Sequence, residues 1–216
     1  MSPRSPEQNE KIREERLQQI LKAAVQVYLE KGLHASDITD IAKKAGLARG
    51  LVYYYYKDKN EIFRAMYEQF IRQAKDYSLF TLNAEVDLLA KLRAYAGFFL
   101  VSAKMRPHMV LVYRNMWQDI PVIFGDEAPE ILANHHENTN GPLIQLFEQG
   151  IAAGRLKALD PKVMSSVFWG GLDGGMDVFL KHKLPSQDET DELIENMVTM
   201  ILDGITMPNS KGDERA

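Results

Sequence analysis

Apolar residues recur with a helical spacing along almost the whole chain, and no other feature of the sequence restricts the fold as strongly. After the polar N-terminus they fall at i, i+3, i+4, i+7, i+10 and i+11, which places them on one face of an amphipathic helix. The residues of this stripe are Leu17, Ile20, Leu21, Ala24, Val27 and Tyr28. The sequence contains no convincing alternation of apolar and polar residues and no internal repeat. It therefore predicts an all-α protein with about nine helices.

Glycine, proline and capping residues predict where these helices begin and end. Gly32 follows a basic residue and is expected to end the first helix, whereas Asp160-Pro161 and Ser186 have the capping chemistry of helix starts. Pro121 is expected to lie in a loop, and Pro142 is expected to break or kink its helix. These positions divide the C-terminal part of the chain into separate helices.

The composition excludes several classes of function. Of the 216 residues, 45% are apolar and 26% are charged, the balance of a globular chain that can bury a core. Cysteine is absent, which rules out disulfides, thiolate zinc sites and a cysteine nucleophile. No apolar run approaches the roughly 18 residues that a membrane span needs. We expect a cytoplasmic protein that does not enter a membrane.

Charge is distributed unevenly along the chain. Residues 1–60 contain 11 Lys and Arg against 8 Asp and Glu, whereas the remaining 156 residues contain 15 against 22. The net charge is +3 on the first part and −7 on the rest. A basic N-terminal part favours contact with a nucleic acid at that end. Asymmetry of this size also occurs in proteins that bind no nucleic acid, so the assignment depends on a motif.

Residues 36–56, SDITDIAKKAGLARGLVYYYY, carry the most specific pattern. Two short helical segments joined at Ala45-Gly46-Leu47 have the length and the turn of a helix-turn-helix. The residues expected to pack between the two helices are Ile38, Ile41, Ala42, Ala45 and Val52. A second helix of only two turns would hardly be stable alone. It is better explained as a recognition helix that its neighbours hold in place for the major groove of DNA.

This pattern resembles the N-terminal domain of the tetracycline-repressor (TetR) family of regulators. The resemblance covers residues 12–63, and its combination of residues is highly specific although no single element is. The matching positions are Gly32, Ser36, Ile38, Ile41, Ala42, Ala45, Gly46, Leu47, Gly50, Val52, Tyr53, Tyr55, Tyr56 and Lys59. It implies a helix-turn-helix domain at residues 1–58, a helical effector-binding and dimerisation domain at 59–208 and a flexible tail at 209–216.

The resemblance also implies which side chains meet double-stranded DNA. Residues expected to face base edges are Arg49, Gly50 and Leu51. Residues expected to contact the sugar-phosphate backbone are Ser36, Thr39, Tyr53, Tyr54 and Lys59. Phenolic hydroxyls and a lysine at a helix N-terminus are good donors to phosphate. Since Gly50 and Leu51 offer no polar side chain, hydrogen bonds to guanine are expected mainly from Arg49.

Three positions depart from the family pattern without overturning the assignment. Ala48 stands where a serine or threonine commonly caps the recognition helix, so no side-chain cap is expected there. Asp37 is a good N-cap but places a carboxylate close to the expected phosphate. Tyr56 replaces a core phenylalanine, so its hydroxyl needs a partner or solvent. Lys43 and Lys44 fit a solvated face better than they fit specific DNA contacts.

For the C-terminal domain the resemblance implies an architecture rather than a ligand. It implies that the last two helices pair with a second subunit as a four-helix bundle, which makes the protein a homodimer. The residues expected at this interface are Phe168, Gly171, Leu172, Gly175, Met176, Phe179, Met197 and Ile201. Small residues four apart let helix backbones approach closely. The alternative is that the glycines, each unfavourable within a helix, mark a kink or a break.

Large apolar side chains in the C-terminal part are candidates for an effector pocket. They are Tyr95, Phe98, Phe99, Met109, Tyr113, Met116, Trp117, Phe147 and Trp169. Four of them, from Met109 to Trp117, share one helical face. The alternative is that all are ordinary core residues. A pocket of this composition favours a small hydrophobic effector, such as an aromatic compound, a drug or an acyl chain.

We expect no catalytic residue, no metal site and no cofactor. His135 and His136 point about 100° apart on a helix, so they cannot chelate one ion as an i, i+4 pair does. The sequence has no nucleophile elbow, no HExxH and no Walker loop. The predicted function is a nucleoid-associated repressor that a small hydrophobic effector releases from a palindromic operator. The alternative is a ligand-independent DNA-binding dimer whose C-terminal domain only docks partners.

Overall fold

The computed structural model describes residues 5–182 and 187–207, with side chains described except at positions 135, 136, 138, 139 and 187. Within these ranges the chain forms nine α-helices and one 3₁₀ turn at Gly125–Glu127. The helices are α1 (Pro6–Ala35), α2 (Ile38–Ala45), α3 (Arg49–Tyr55), α4 (Lys59–Leu82), α5 (Leu88–Met105), α6 (Pro107–Phe124), α7 (Ala128–Ala152), α8 (Pro161–Lys181) and α9 (Gln187–Asp203). The all-α prediction is confirmed. The predicted tail, the Ser186 cap and the side chains of His135 and His136 lie outside the described residues.

Helix ends follow the capping chemistry in most places. Gly32 takes a left-handed φ of 70° and interrupts α1, and Asp160 caps α8 by accepting hydrogen bonds from the Lys162 and Val163 N–H groups. Pro121, however, lies inside α6, so its predicted loop is wrong, and α7 continues through Pro142. A proline removes one backbone hydrogen bond. Buried apolar side chains directly beside both prolines favour the helix and offset this loss.

The described residues divide into two compact units. The first comprises residues 5–72 and 111–132, and the second comprises residues 73–110, 133–182 and 187–207. The first unit therefore contains α1, α2 and α3 together with the start of α4 and most of α6. The division at residue 58 that the family resemblance implies is narrower than this unit and stays a prediction about function.

Polar side chains connect distant segments within the first unit. The Tyr28 hydroxyl of α1 donates to the Asp119 carboxylate of α6 at 2.5 Å. The Arg64 guanidinium of α4 forms three hydrogen bonds of 2.9–3.1 Å with Glu127 and lies 4.7 Å from the centre of the Phe124 ring. These contacts hold the end of α6 against the helices that carry the helix-turn-helix.

Removal of the hydroxyl should change the free energy of unfolding differently at two buried tyrosines of the first unit. Tyr28→Phe is expected to lower the free energy of unfolding by about 1–3 kcal/mol, because the Asp119 carboxylate loses its donor. The Tyr67 hydroxyl is buried, and burial raises its pKa to about 12. It has no partner among the described residues. Tyr67→Phe should therefore be neutral or stabilising. Urea denaturation of both variants tests the contrast, and equal losses would contradict it.

The second unit is built around one apolar core in which α5 packs against α8 and α9. Phe168 and Leu172 of α8 and Val198 of α9 are nearly or fully buried in it. On the surface, α5 and α9 are joined by ion pairs between Lys104 and Asp191 at 2.6 Å and between Arg93 and Glu195 at 3.0 Å. The helices α8 and α9 therefore have one face committed to their own subunit.

Candidate functional site

The turn between α2 and α3 is fixed by local backbone chemistry. Asp37 caps α2 by accepting from the Thr39 N–H at 2.6 Å, and Gly46 ends α2 in the left-handed region with a φ of 66°. The Gly46 N–H donates to carbonyl oxygens of the last turn of α2, as such an end requires. At the same end, Gln19 of α1 donates to the Ala45 carbonyl at 2.6 Å. The start of α3 is therefore held in a fixed direction.

The core of the helix-turn-helix is the one that the sequence predicts. All five predicted residues are buried, namely Ile38, Ile41, Ala42, Ala45 and Val52. Val52 is the residue through which α3 is anchored, and it is fully buried. Burial of one valine side chain contributes about 1.5–3 kcal/mol, which is substantial for a seven-residue helix that has no side-chain cap at Ala48. The absence of this cap was also predicted.

The opposite side of α3 is exposed, and we call its residues Arg49, Gly50, Tyr53 and Tyr54 the recognition face. Tyr54 is 78% exposed and Tyr53 is 44% exposed, although both are large aromatic residues. Leu51 is half-buried beside them. Exposed aromatic side chains on a helix held by its neighbours are available for a partner. This location agrees with the predicted DNA contacts, which remain predictions.

Arg49 is oriented by its neighbour one turn along the helix. Its guanidinium lies 5.3 Å from the centre of the Tyr53 ring, and Nη2 donates to the Tyr53 hydroxyl oxygen at 3.1 Å. The hydrogen bond to Tyr53 and the electrostatic interaction with it raise the pKa of Arg49 above its ordinary value. Both side chains are exposed, so the guanidinium retains donors for an acceptor such as guanine or phosphate.

Thr39 lies on the exposed side of α2, where Asp37 is its close partner. Hydrogen bonds from the Thr39 side chain and N–H lower the pKa of Asp37, and the more distant charges of Arg49 and Lys59 act in the same direction. The carboxylate is therefore occupied by the cap. A negative charge therefore lies beside the place where Thr39 was expected to meet a phosphate. The phosphate contact of Thr39 stays a prediction.

Ser36 and Lys59 have structural partners in the unbound protein. Ser36 is buried, and its hydroxyl donates to the Gly32 carbonyl at 2.6 Å. The Lys59 ammonium donates to the carbonyl oxygens of Leu33, His34 and Ser36 at 3.0–3.2 Å. Lysine is a natural partner for the unpaired carbonyls at a helix C-terminus. The predicted phosphate contacts of both residues stay predictions, and each would require this arrangement to change.

Other residues near the motif are paired within the protein. Lys44 forms an ion pair with Glu30 at 2.6 Å, which agrees with its interpretation as part of a solvated face. Tyr56 is buried as expected for a core position, and burial raises the pKa of its hydroxyl. Arg49 therefore remains an exposed positive charge on this surface, whereas Lys44 is paired with a carboxylate.

The structure places the predicted dimer residues on the inner side of α8 and α9. Phe168, Leu172, Met176 and Phe179 belong to the core of the second unit. A Cβ at Gly171 would approach Ile201 Cγ1 to 2.9 Å, and one at Gly175 would approach Leu100 Cδ2 to 2.7 Å and Met197 Sδ to 3.4 Å. Phe168, Leu172, Met176 and Phe179 pack within the subunit, whereas Gly171, Met197 and Ile201 are half-buried, and the predicted role of the set in a dimer interface stays a prediction.

A different stripe of α8 is exposed and apolar, and we call it the outer stripe. It comprises Val163, Val167, Gly170 and Gly174, of which the two valines are 57% and 64% exposed. No described atom lies within 4 Å of the position that a Cβ would take on either glycine. Met200 on α9 is also exposed, at 76%. The sequence prediction placed the interface on the face that carries the large apolar side chains instead.

The predicted pocket residues fall into both units. In the second unit, Phe99 packs edge-on against Trp169 at 4.9 Å and against Tyr95 at 5.1 Å between ring centres. The other members in this unit are Phe98, Met109 and Phe147, of which Phe98 is 39% exposed and Phe147 is fully buried. In the first unit, Tyr113 contacts Trp117 at 5.6 Å, and Met116 is buried. Each unit thus contains its own aromatic cluster, and a pocket remains a prediction.

Neither a membrane span nor a metal cluster is present among the described residues. No helix there combines the length and hydropathy of a membrane-crossing segment. No group of three or more His, Asp or Glu side chains in the same part of the chain is arranged to hold a metal ion.

Comparison with known proteins agrees with the geometry. The family model "Bacterial regulatory proteins, tetR family" matches residues 20–66. The HTH-type transcriptional regulator YvdT of Bacillus subtilis is 33% identical over 100 residues, which are 46% of this chain and 52% of YvdT. The chain thus spans about half the length of that relative. The fatty acid metabolism regulator protein of the same organism is 27% identical over 162 residues, covering 72% of this chain and 78% of the relative.

Solved structures share the fold. The transcriptional regulator FadR from Bacillus subtilis, solved in complex with stearoyl-CoA, superimposes with a TM-score of 0.67 at 21% identity, over 87% of this chain and 98% of FadR. A short helix held outward by a buried helix-turn-helix core, followed by a larger helical part, defines a DNA-binding transcriptional regulator. Residues 20–66 match the TetR family of bacterial regulators, and the chain as a whole shares the fold of a solved TetR-family regulator.

Proposed function

We propose that this protein is a homodimeric repressor that binds a palindromic operator and is released from it by a long-chain acyl effector. The observation that carries the proposal is the recognition face, where Arg49, Tyr53 and Tyr54 are exposed on a helix anchored by Val52. A helix of this kind is too short to be stable alone, so its outward residues serve a partner rather than the fold. Seated in a major groove, Arg49 offers a guanidinium to base edges and the tyrosines offer hydroxyls to phosphates.

Dimerisation through the outer stripe supports the palindromic operator. Gly170 and Gly174 lie in the middle of α8, where each glycine costs about 1 kcal/mol relative to alanine. Close approach of a second helix along the exposed valines would offset that cost by burying apolar surface. A two-fold axis at this surface gives the dimer two recognition faces, and such pairs read two half-sites about one helical turn of DNA apart.

An acyl effector is favoured by the names of the relatives and by the residues of the second unit. One relative is a fatty acid metabolism regulator, and one structural neighbour holds stearoyl-CoA. In this chain the core of the second unit contains aromatic side chains on α5 and α8, including Tyr95, Phe99 and Trp169. Aromatic and aliphatic side chains suit an alkyl chain, so the composition of this core agrees with a hydrophobic effector.

The experiment that tests the proposal has two stages. The protein is first used to select binding sites from random duplex DNA, and we expect an inverted repeat. Binding to the selected duplex is then measured by fluorescence anisotropy during titration with stearoyl-CoA below its micelle-forming concentration. We expect the apparent Kd for DNA to rise about tenfold or more, in the usual range of allosteric coupling. Coenzyme A without the acyl chain is the control and should have no effect.

The outcomes separate this proposal from the alternative. If an inverted repeat is selected but neither acyl nor aromatic compounds change its affinity, the protein is a ligand-independent dimer whose second unit docks partners. If no duplex is enriched, DNA binding by the recognition face is contradicted.

A further inference from the structure

Two hydrogen-bonding groups on α8 are buried without a partner among the described residues. They are the Ser165 hydroxyl and the Trp169 indole N–H. Ser165 is only 3% exposed, and the indole nitrogen is closed to solvent although part of the Trp169 ring is not. Buried polar groups in proteins nearly always have a partner, and leaving one unpaired destabilises the fold. Two such groups on one helix therefore require an explanation.

The two groups share one side of the helix. They are four residues apart, and residues at this spacing on an α-helix face the same direction. On the same side, the Phe168 ring stacks on the Tyr95 ring of α5 with 6.3 Å between the ring centres. The Trp169 ring packs edge-on against the rings of Tyr95 and Phe99. The pair therefore faces the aromatic cluster of the second unit rather than solvent.

Two nearby serine hydroxyls, one buried and one exposed, have partners that the chain itself provides. Ser78 is 1% exposed, and its hydroxyl lies 3.2 Å from the Tyr95 hydroxyl. Ser166, directly after Ser165, donates to the Lys162 carbonyl one turn earlier at 3.0 Å. Ser165 makes no such bond to its own helix. Its hydroxyl is left for an acceptor that the chain itself does not supply.

The chemistry of the pair specifies what that acceptor is. An indole N–H can only donate, and a serine hydroxyl can donate at the same time, so both groups suit an acceptor oxygen, which can take two hydrogen bonds at once. The rings beside Trp169 are uncharged, and an ionised carboxylate would lose its hydration there without gaining a cation. A neutral carbonyl oxygen with an alkyl chain attached fits both the donors and the aromatic walls.

We infer that Ser165 and Trp169 bind the carbonyl oxygen of an acyl thioester inside the second unit, and so distinguish it from other apolar effectors. This inference rests on the proposed acyl effector and names the residues that recognise its polar group. The aromatic cluster packs against the alkyl chain of the ligand. The two donors provide selectivity for a ligand that carries a carbonyl oxygen. A ligand with the same chain and no carbonyl leaves both donors unpaired.

The test compares two ligands that differ only in this oxygen. In S-octadecyl-coenzyme A, the thioether analogue of stearoyl-CoA, a methylene replaces the carbonyl. Their Kd values are measured by calorimetry with the full chain as wild type and as Ser165→Ala, Trp169→Phe and Ser166→Ala. We expect the wild type to prefer the thioester about tenfold, as one to two hydrogen bonds provide. The preference should fall towards unity in Ser165→Ala and in Trp169→Phe, while Ser166→Ala, which alters an exposed serine, should keep it.

Each other outcome overturns the inference in a distinguishable way. If the wild type binds both ligands equally, or if both variants keep the wild-type preference, the two donors bind water molecules rather than the ligand. The role of Ser165 and Trp169 is then wrong, while the proposed acyl effector stands. If stearic acid, rather than the thioester, loses affinity in the variants, a carboxylate is the ligand and the carbonyl assignment is wrong. If the wild type binds none of the three, the acyl effector of the proposed function is wrong as well. Ser165→Ala removes a single atom from the core, so its result stands even if Trp169→Phe does not fold.

Discussion

Val167→Glu is expected to produce a monomer whose affinity for the selected operator is about 100-fold lower than that of the wild type. The physical reason lies on the outer stripe, where Val167 is 64% exposed in the isolated subunit. Two symmetric copies of α8 would place two carboxylates in an apolar contact, without partners and with little water. Once the subunits separate, each recognition face binds alone and the gain from two linked half-sites is lost.

A matched control makes this result specific. Ser166→Glu adds the same charge to the neighbouring exposed residue, which points about 100° away on the helix, towards the side of Lys162 and Asp173. We expect this variant to remain dimeric and to bind DNA as the wild type does. Sedimentation or light scattering gives the number of subunits in each variant, and thermal unfolding shows whether both variants are folded. If the Val167→Glu protein is dimeric, the outer stripe is not the dimer interface, and the subunits pair through another surface.

The second large effect is expected from the recognition face. Arg49→Ala should lower affinity for the selected operator about 10- to 100-fold and relax the preference at one base pair in each half-site. Tyr54→Phe removes only a hydroxyl from a side chain that is 78% exposed. This variant should lower the affinity for DNA by about tenfold or less. The loss should be similar on every DNA sequence, because a phosphate contact carries no base information.

The two variants should also differ in their dependence on salt. Arg49 carries a charge, so its removal reduces the slope of log K against log salt if the guanidinium also lies near a phosphate. Tyr54 is uncharged in its hydroxyl form, and its loss should leave the slope unchanged. Binding measured on the operator and on single-base variants at several salt concentrations separates the two roles. Equal losses on all sequences for Arg49→Ala would mean that this residue only positions the helix.

Features governed by local chemistry could be predicted from the sequence. The all-α fold, the interruption of α1 at Gly32, the cap at Asp160 and the buried core of the helix-turn-helix all depend on residues within a few turns of one another. Contacts between distant segments gave no such signal. Tyr28 and Asp119 are 91 residues apart, and nothing near either residue indicates the other. Pro121 was misread for a related reason, since the packing that sustains its helix is not local.

The prediction for α8 shows where hydrophobic patterns are ambiguous. This helix is apolar on most of its circumference, so the spacing of residues identifies two apolar faces without saying which one faces the subunit core. The large side chains, such as Phe168 and Leu172, fill the core, and the smaller Val163, Val167 and Gly170 remain outside. Only the positions of α5 and α9 determine this choice. The size of the side chains was the available signal, because bulky residues are best accommodated in a core.

Lys59 is the first residue of α4, and its ammonium is bonded to three carbonyl oxygens at the end of α1 and just beyond it. A single side chain thus ties the beginning of one long helix to the end of another, directly ahead of the helix-turn-helix. A rotation of α4 about this point cannot leave α1 behind without breaking all three bonds together. The three bonds therefore couple the start of α4 to the end of α1 within the first unit, so a displacement of one helix end is resisted by the other.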